Sequence, residues 1–289
     1  MISTLKRSVL AMPGSNARAL EKGKTLKADV LMFELEDGVA ESAKAMARAQ
    51  VAAAVTGGGY GDRQIVVRVN APASEWYAAD IAAVAPAAPH AIVIPKVNSR
   101  EDILQAAADI AAAGAPSRTR LWAMIETPRA IFDIEKIASA ADDPASRLDV
   151  LVLGPNDIAK STRARLTPGR PALLSWLSAG VLAVRVHGIE IIDGIYNDFN
   201  DETGLRREAE QGRDLGMDGK MLIHPSQIGP VNEIFAPSPA EVDFARKILA
   251  AFDAPENSNK GVVQIDGQMV ERLHLDGARR TLALVEATG

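Results

Sequence analysis

Three carboxylates stand almost side by side where an apolar run ends: Glu34, Glu36 and Asp37 close the stretch DVLMFELEDG. Like charges this close repel unless a cation or hydrogen-bond donors sit among them. Other apolar runs end in polar groups too. Arg68 lies near the end of QIVVRV and Asn70 follows it, Lys96 follows AIVIP, Glu126 closes RLWAMIE, and Asn156 and Asp157 lie in GPND. Asp193 ends GIEIID, Asp198 follows soon after, and His224 ends GKMLIH. Carboxylates from neighbouring strands on one rim make an oxygen-ligand site for Mg²⁺ or Mn²⁺. Such an ion takes one or two carboxylates and keeps positions for water and substrate. Glu126 and Asp157 are the pair chosen, because they close consecutive strands.

Competing readings apply to each group. Asp37 and Asp157 precede helical runs and are suited to capping them. Glu126 is poorly explained as a cap, since Thr127-Pro128 already opens the next helix. Arg68 either balances the acids of its rim or binds a carboxylate or a developing enolate oxygen. Lys96 is either a salt-bridge partner or a Schiff-base lysine, and the latter needs a depressed pKa. Four histidines, at 90, 187, 224 and 274, show neither H-x-x-x-H nor H-x-H spacing, which argues against zinc. No G-x-S-x-G elbow is present for a serine hydrolase.

These groups need a scaffold that gathers strand ends. Eight apolar or β-branched runs qualify as strands: 7–12, 30–35, 64–69, 91–96, 120–126, 149–154, 188–193 and 219–224. Helical patterns lie between them, as in 16–27, 41–55, 75–84, 101–113, 130–140, 173–186 and 201–215. Strands that are apolar throughout are expected where both faces of a parallel sheet are covered. The pattern predicts an α/β fold, a (β/α)8 TIM barrel, over residues 1–235. An open doubly wound sheet is the second choice, disfavoured because MPGSNAR lacks the G-x-G-x-x-G phosphate loop. Residues 236–289 read as an extension: a capped helix, a polar stretch over 256–261, a strand, a Gly turn and a last helix. It is either a packing element or a lid over a site on this barrel or a neighbour's.

Bulk properties narrow the classes. The chain has 289 residues, of which 47% are hydrophobic, enough for a large core. A net charge of −5 with no long basic run gives no sign of nucleic-acid binding. Cysteine is absent, which excludes disulfides, thiolate metal sites and a Cys nucleophile. No signal peptide is read in MISTLKRSVLAMPG, and no run of about 18 apolar residues suggests a membrane span. A cytoplasmic location is expected.

In sequence order, RSVLAMPGSNARALEKGKTLKADVLMFELEDGV, VVRVN, PKVNSREDI, MIETPRAI, LGPNDIA and LIHPSQI resemble the citrate lyase β-subunit-like family. That family sits with malyl-CoA and citramalyl-CoA lyases in the HpcH/HpaI aldolase group, and the likeness extends to VVQIDGQMVERLHLDGARR in the tail. The resemblance implies a TIM barrel, commonly trimeric, with one Mg²⁺ per site. It implies cleavage or formation of a carbon–carbon bond in a 3-hydroxyacyl-CoA, giving an acyl-CoA and a 2-oxo acid. Glu126 and Asp157 would bind the metal, and Arg68 would contact thioester or oxo-acid oxygens. Glu36 and Asp37 would hydrogen-bond metal waters and Arg68. The general base would be Glu271 of QMVE, often supplied by an adjacent subunit, with Asp266 as the alternative. Coenzyme A, as part of the substrate, needs cations for its phosphates; Arg18, Lys22 and Lys24 are the candidates, with exposed helix charges as the bland reading. A homo-oligomer, trimer or hexamer, is expected, without a nucleic-acid or membrane partner.

Three features bear on this reading. The base is Glu271 where the family commonly has Asp, one methylene shorter. Glu34 replaces the usual strand-2 Asp. The DGEH histidine of the aldolase branch is absent, which disfavours a free 4-hydroxy-2-oxo acid aldolase, while the long tail favours a stand-alone CoA-thioester enzyme. Two alternatives stand beside the lyase: a malyl-CoA-type thioesterase, and a non-catalytic protein that binds CoA thioesters or docks in a complex.

Overall fold

Alternation along each short apolar run decides which side chains fill the barrel and which face the helices. The computed structural model describes residues 5–257 and 259–288, so Ser258 of the polar stretch 256–261 lies outside the described residues. The strands are β1 (Ser8–Pro13), β2 (Val30–Glu34), β3 (Gln64–Arg68), β4 (Ala91–Ile94), β5 (Arg120–Ile125), β6 (Leu148–Leu153), β7 (Glu190–Asp193) and β8 (Gly219–Leu222). They pair in sequence order, parallel throughout, and β8 returns to β1, closing the barrel. The interior is filled by Val9, Val30, Met32, Val66, Val93, Trp122, Met124, Val152, Ile192 and Met221, with their neighbours. Two residues on, the same alternation sends Glu34 after Met32, Arg68 after Val66 and Glu126 after Met124 into the barrel mouth.

Helices α1 (Ala17–Gly23), α2 (Lys44–Gly57), α3 (Tyr77–Ala87), α4 (Arg100–Ala112), α5 (Pro128–Phe132), α6 (Ile134–Ala138), α7 (Pro155–Thr162), α8 (Leu174–His187), α9 (Glu202–Asp214) and α10 (Ile228–Ile234) alternate with the strands. Local chemistry sets their starts. Asn16 caps α1, Ser99 and Asp102 form a capping box on α4, and Thr127 with Pro128 opens α5. The single helix expected over 130–140 is two, broken at Asp133, which caps one and starts the next.

Residues Lys6–Asn232 make one compact unit, and the chain from Glu233 onward belongs to a second. The second unit contains α11 (Pro239–Asp253), the antiparallel hairpin β9 (Val262–Ile265) and β10 (Gln268–Glu271), and α12 (His274–Thr288). Its own core joins Ala245, Ile248, Phe252, Val263, Ile265, Val270 and Ala278. Asp266 and Gly267, both at positive φ, make the hairpin turn. No helix among the described residues is long and apolar enough to cross a membrane.

A small pH-sensitive clamp ties α8 to the segment after β5. The Nδ1 of His187 lies 3.0 Å from Asp142 and its Nε2 lies 3.3 Å from Glu135, at the C-terminal end of α8. Burial disfavours the imidazolium, but the two carboxylates outweigh it and raise the His187 pKa. Its contribution is therefore full below an unfolded value of about 6.5 and lost as pH rises through the folded value. Both acids are exposed, so the expected effect is at most about 1 kcal/mol. Melting curves of His187→Gln against the parent chain should differ more at pH 5.5 than at pH 9; an equal difference would show that the ring acts only by packing.

Candidate active site

The mouth of the barrel holds four carboxylates and two cations. Arg68, at the end of β3, donates Nε–H to Glu34 at 2.5 Å and pairs through a second nitrogen with the same oxygen. Its other terminal nitrogen lies 3.2 Å from Glu36 and 3.3 Å from the Met124 sulfur. Burial acts against the guanidinium, but Glu34 and Glu36 hold its pKa above the ordinary value. Glu34 also accepts the Glu36 backbone N–H at 2.6 Å. Asp37 is exposed on the rim, and the partners of Arg68 are Glu34 and Glu36.

A second cluster sits beside the first. Glu126, buried beyond β5, accepts the Lys96 backbone N–H at 2.7 Å, and the Lys96 Nζ is 3.4 Å from the same oxygen. That ammonium donates to Asp157 on α7 at 2.6 Å. Burial raises the Glu126 pKa against the opposing pull of Lys96 and Arg68. Burial disfavours the charged Lys96, but Asp157 and Glu126 outweigh it and raise its pKa. A Schiff-base lysine needs the reverse shift, so the salt-bridge reading holds. Glu36 is pushed up to about 8, first by burial, with Arg68 opposing and Glu126, Asp37 and Glu34 adding to the rise. Its Oε2 lies in ion-pair range of Arg68 yet has no hydrogen bond of good geometry.

This arrangement fits a divalent cation. Four buried or half-buried carboxylates face two cations, an orphaned carboxylate oxygen points into the cluster, and the donors are all oxygen. Among the described residues no three acids, histidines or cysteines converge as a complete cage. A two-carboxylate site completed by water and substrate is the kind Mg²⁺ takes.

Backing residues hold the cluster. The Lys44 ammonium donates to the carbonyls of Leu35 and Glu36 at 2.7 and 2.6 Å and to Asn70 at 2.7 Å. Asn70 in turn bonds the Leu35 carbonyl and Asp80, which Arg48 pairs. Sequence reading missed Lys44 and Asp80, whose partners lie on other segments of the chain. Gly154 lets β6 approach Glu126, because a Cβ there would lie 2.5 Å from the glutamate's own Cβ. Gly154→Ala should therefore displace Glu126 and lower turnover about 10²-fold, the scale of an ångström misplacement. Parent-like kinetics would show that the strand end relaxes freely.

Other candidates fall elsewhere. Asp193 faces away from the barrel interior into a buried cluster with Arg170 and Lys220. His224 bonds Ser226 and stacks on Phe199 with centroids 4.8 Å apart, a structural role. Arg18 and Lys22 are exposed on α1, while Lys24 pairs with Glu21 at 2.8 Å and lies over the Tyr60 ring. Six residues of helical rise put Lys24 about 9 Å further from the rim than Arg18. Glu271 ends β10 in the second unit, its N–H bonded to His274, and Asp266 pairs with Lys247 in the hairpin turn.

Comparison with known proteins identifies the family. The family model described as HpcH/HpaI aldolase/citrate lyase matches residues 7–225. The chain belongs to this family. As a family member it is 46% identical over 281 residues to a (3S)-malyl-CoA thioesterase of Cereibacter sphaeroides, covering 97% of this chain and 95% of that one. It is 36% identical to the citrate lyase β subunit of Escherichia coli K12 over 98% of this chain and 94% of that one. Among solved structures, the CitE protein of Mycobacterium tuberculosis in complex with magnesium, acetoacetate and coenzyme A superposes with a TM-score of 0.79 at 27% identity. That match covers 99% of this chain and all of the other.

Proposed function

We propose that this chain is a Mg²⁺-dependent enzyme that cleaves a short 3-hydroxyacyl-CoA thioester of the malyl-CoA class. The observation that carries the reading is the convergence of Glu126 and Asp157, bridged by one ammonium, beside an arginine pinned by two glutamates. Glu126 and Asp157 would hold the ion, which when bound supplies Lewis-acid polarisation of a substrate oxygen. Arg68 contributes a fixed positive charge to oxygens that gain charge during reaction, and Glu34 and Glu36 orient it. Glu36, poised near neutral pH, is suited to hold or pass a proton in this cluster. Arg18, with Lys22 and Lys24 further along α1, would meet the phosphates of coenzyme A. Glu271 of the second unit, or Asp266, would act as base, in this chain or a neighbour's within a homo-oligomer.

Hydrolysis is placed first among the outcomes, because identity to the thioesterase is 46% against 36% for the citrate lyase subunit. Water then adds to the thioester, giving the free hydroxy acid and coenzyme A. Carbon–carbon cleavage is the second reading, supported by the likeness to the CitE protein solved with magnesium, acetoacetate and coenzyme A. It gives an acyl-CoA and a 2-oxo acid, with no free coenzyme A. Purified protein, Mg²⁺ and malyl-, citramalyl- and 3-hydroxy-3-methylglutaryl-CoA decide between them by mass spectrometry of every CoA species, with phenylhydrazine trapping of oxo acids. Free coenzyme A lost with EDTA supports hydrolysis; acyl-CoA plus a trapped oxo acid selects the lyase. No turnover of the whole panel would overturn the substrate class.

A further inference from the structure

Lys96 engages the Glu126–Asp157 pair twice, through its backbone and through its side chain. Its N–H donates to Glu126 and its ammonium reaches both carboxylates, at 3.4 and 2.6 Å. Its backbone sits at φ 57°, in the left-handed region that glycine occupies freely and a lysine does not. The surroundings impose that conformation. Asn98 donates to the Lys96 carbonyl at 2.8 Å and accepts the Thr127 hydroxyl at 2.5 Å, while its own N–H is held by Asp102 at 2.7 Å. The segment 96–98 is thus stapled to the residue that follows Glu126. Arg68 is engaged by Glu34 and Glu36, which leaves Lys96 as the cation for the other two acids. The Lys96 side chain is 36% exposed, against 12% for Arg68, so its head has room to move aside.

We propose that Lys96 is a built-in counter-ion of the metal-binding pair: its ammonium neutralises Glu126 and Asp157 before metal arrives and competes with the divalent ion for them. The inference rests on the proposed metal role of Glu126 and Asp157. It makes Lys96 a positioning residue whose charge balances the two carboxylates in the metal-free chain and sets metal affinity low enough for exchange. A purely structural salt bridge has a different signature, because its removal would splay the carboxylates and weaken metal binding.

Mn²⁺ titration of the intact chain, read by the loss of the free-ion electron paramagnetic resonance signal at pH 7.5, separates these cases. Lys96→Met and Lys96→Gln each delete one positive charge beside both ligands, and each should bind Mn²⁺ at least about tenfold more tightly than the parent. Lys96→Arg keeps the charge and should stay within about threefold of the parent. Glu126→Gln should abolish the site in every background. Thermal melting gives a second readout: without metal Lys96→Gln should melt below the parent, and Mn²⁺ should raise its Tm by more. Equal or weaker Mn²⁺ binding by both neutral variants would overturn the counter-ion role while leaving the metal site intact. Absence of Mn²⁺ binding by the parent chain would remove the metal site and this inference with it.

Discussion

Glu126→Gln is expected to abolish Mn²⁺ or Mg²⁺ binding and lower turnover by about 10³-fold or more, with no loss of Tm. The size follows from the several kcal/mol a Lewis acid contributes at the reacting oxygen, each 1.4 kcal/mol being about tenfold in rate. Stability is spared for two reasons. Glutamine keeps an oxygen that can accept the Lys96 N–H, now 2.7 Å from Glu126. Burial already disfavours the ionised glutamate, so a neutral amide of the same shape removes a buried charge rather than adding one. Asp157→Asn should behave alike in activity and likewise leave Tm unchanged, because that side chain is 37% exposed. The checks are calorimetric metal titration, turnover of the CoA-thioester panel and melting curves on the same preparations. Full turnover by Glu126→Gln would sink the metal assignment, and loss of Tm alongside activity would reduce it to a fold residue.

Much of this architecture was legible in the chain because the signals are local. Apolar runs spaced by helical patterns give a parallel barrel, and each expected strand is present within a residue or two at its ends. The rim was legible through alternation: Val66 points inward, so Arg68 does too, and Met124 carries Glu126 with it. Applied one residue further, the same rule separates Asp193 from the rim, since Ile192 is interior and Asp193 therefore faces out. What stayed hidden depends on contacts between distant segments. The partners of Lys44 at Leu35, Glu36 and Asn70 are set by the packing of α2 on the loops after β2 and β3, which no local pattern encodes. The left-handed backbone of Lys96 is imposed by Asn98 and Thr127, and nothing in PKVNS announces it. Glu34, noted from the sequence only as a replacement for the usual strand-2 Asp, proves to be the principal partner of Arg68 because it lies opposite Arg68 in the β2–β3 register.

The largest stability effect should come from Lys220→Met, away from the barrel mouth. Lys220 is fully buried and faces the helix layer, since Met221 beside it fills the interior. Its ammonium donates to Asp193 at 2.9 Å, Glu208 at 2.7 Å and the Gly194 carbonyl at 2.7 Å, while Arg170 completes the cluster at 2.8 Å from Asp193. Removing one member leaves the others buried without balance, a loss of about 3–5 kcal/mol. Burial works against the Asp193 carboxylate, but Lys220 and Arg170 hold its pKa below the ordinary value. The cluster's stabilisation is thus present above about pH 4, the unfolded carboxylate value, and lost as pH falls through the lowered folded one. Urea unfolding at pH 7 should show a large fall in midpoint for Lys220→Met and a smaller one for Lys220→Met with Asp193→Leu, because the double variant deletes the stranded charge too. An additive double variant would show that the two side chains act independently. The cluster also reaches the site: Gly194 opens the loop in which Asn197 exchanges amide hydrogen bonds with Asn156, at 3.1 and 3.2 Å, one residue before Asp157. Lys220→Met that remains folded should therefore bind Mn²⁺ less tightly than the parent, whereas a variant that loses only stability would locate the effect in the helix layer alone.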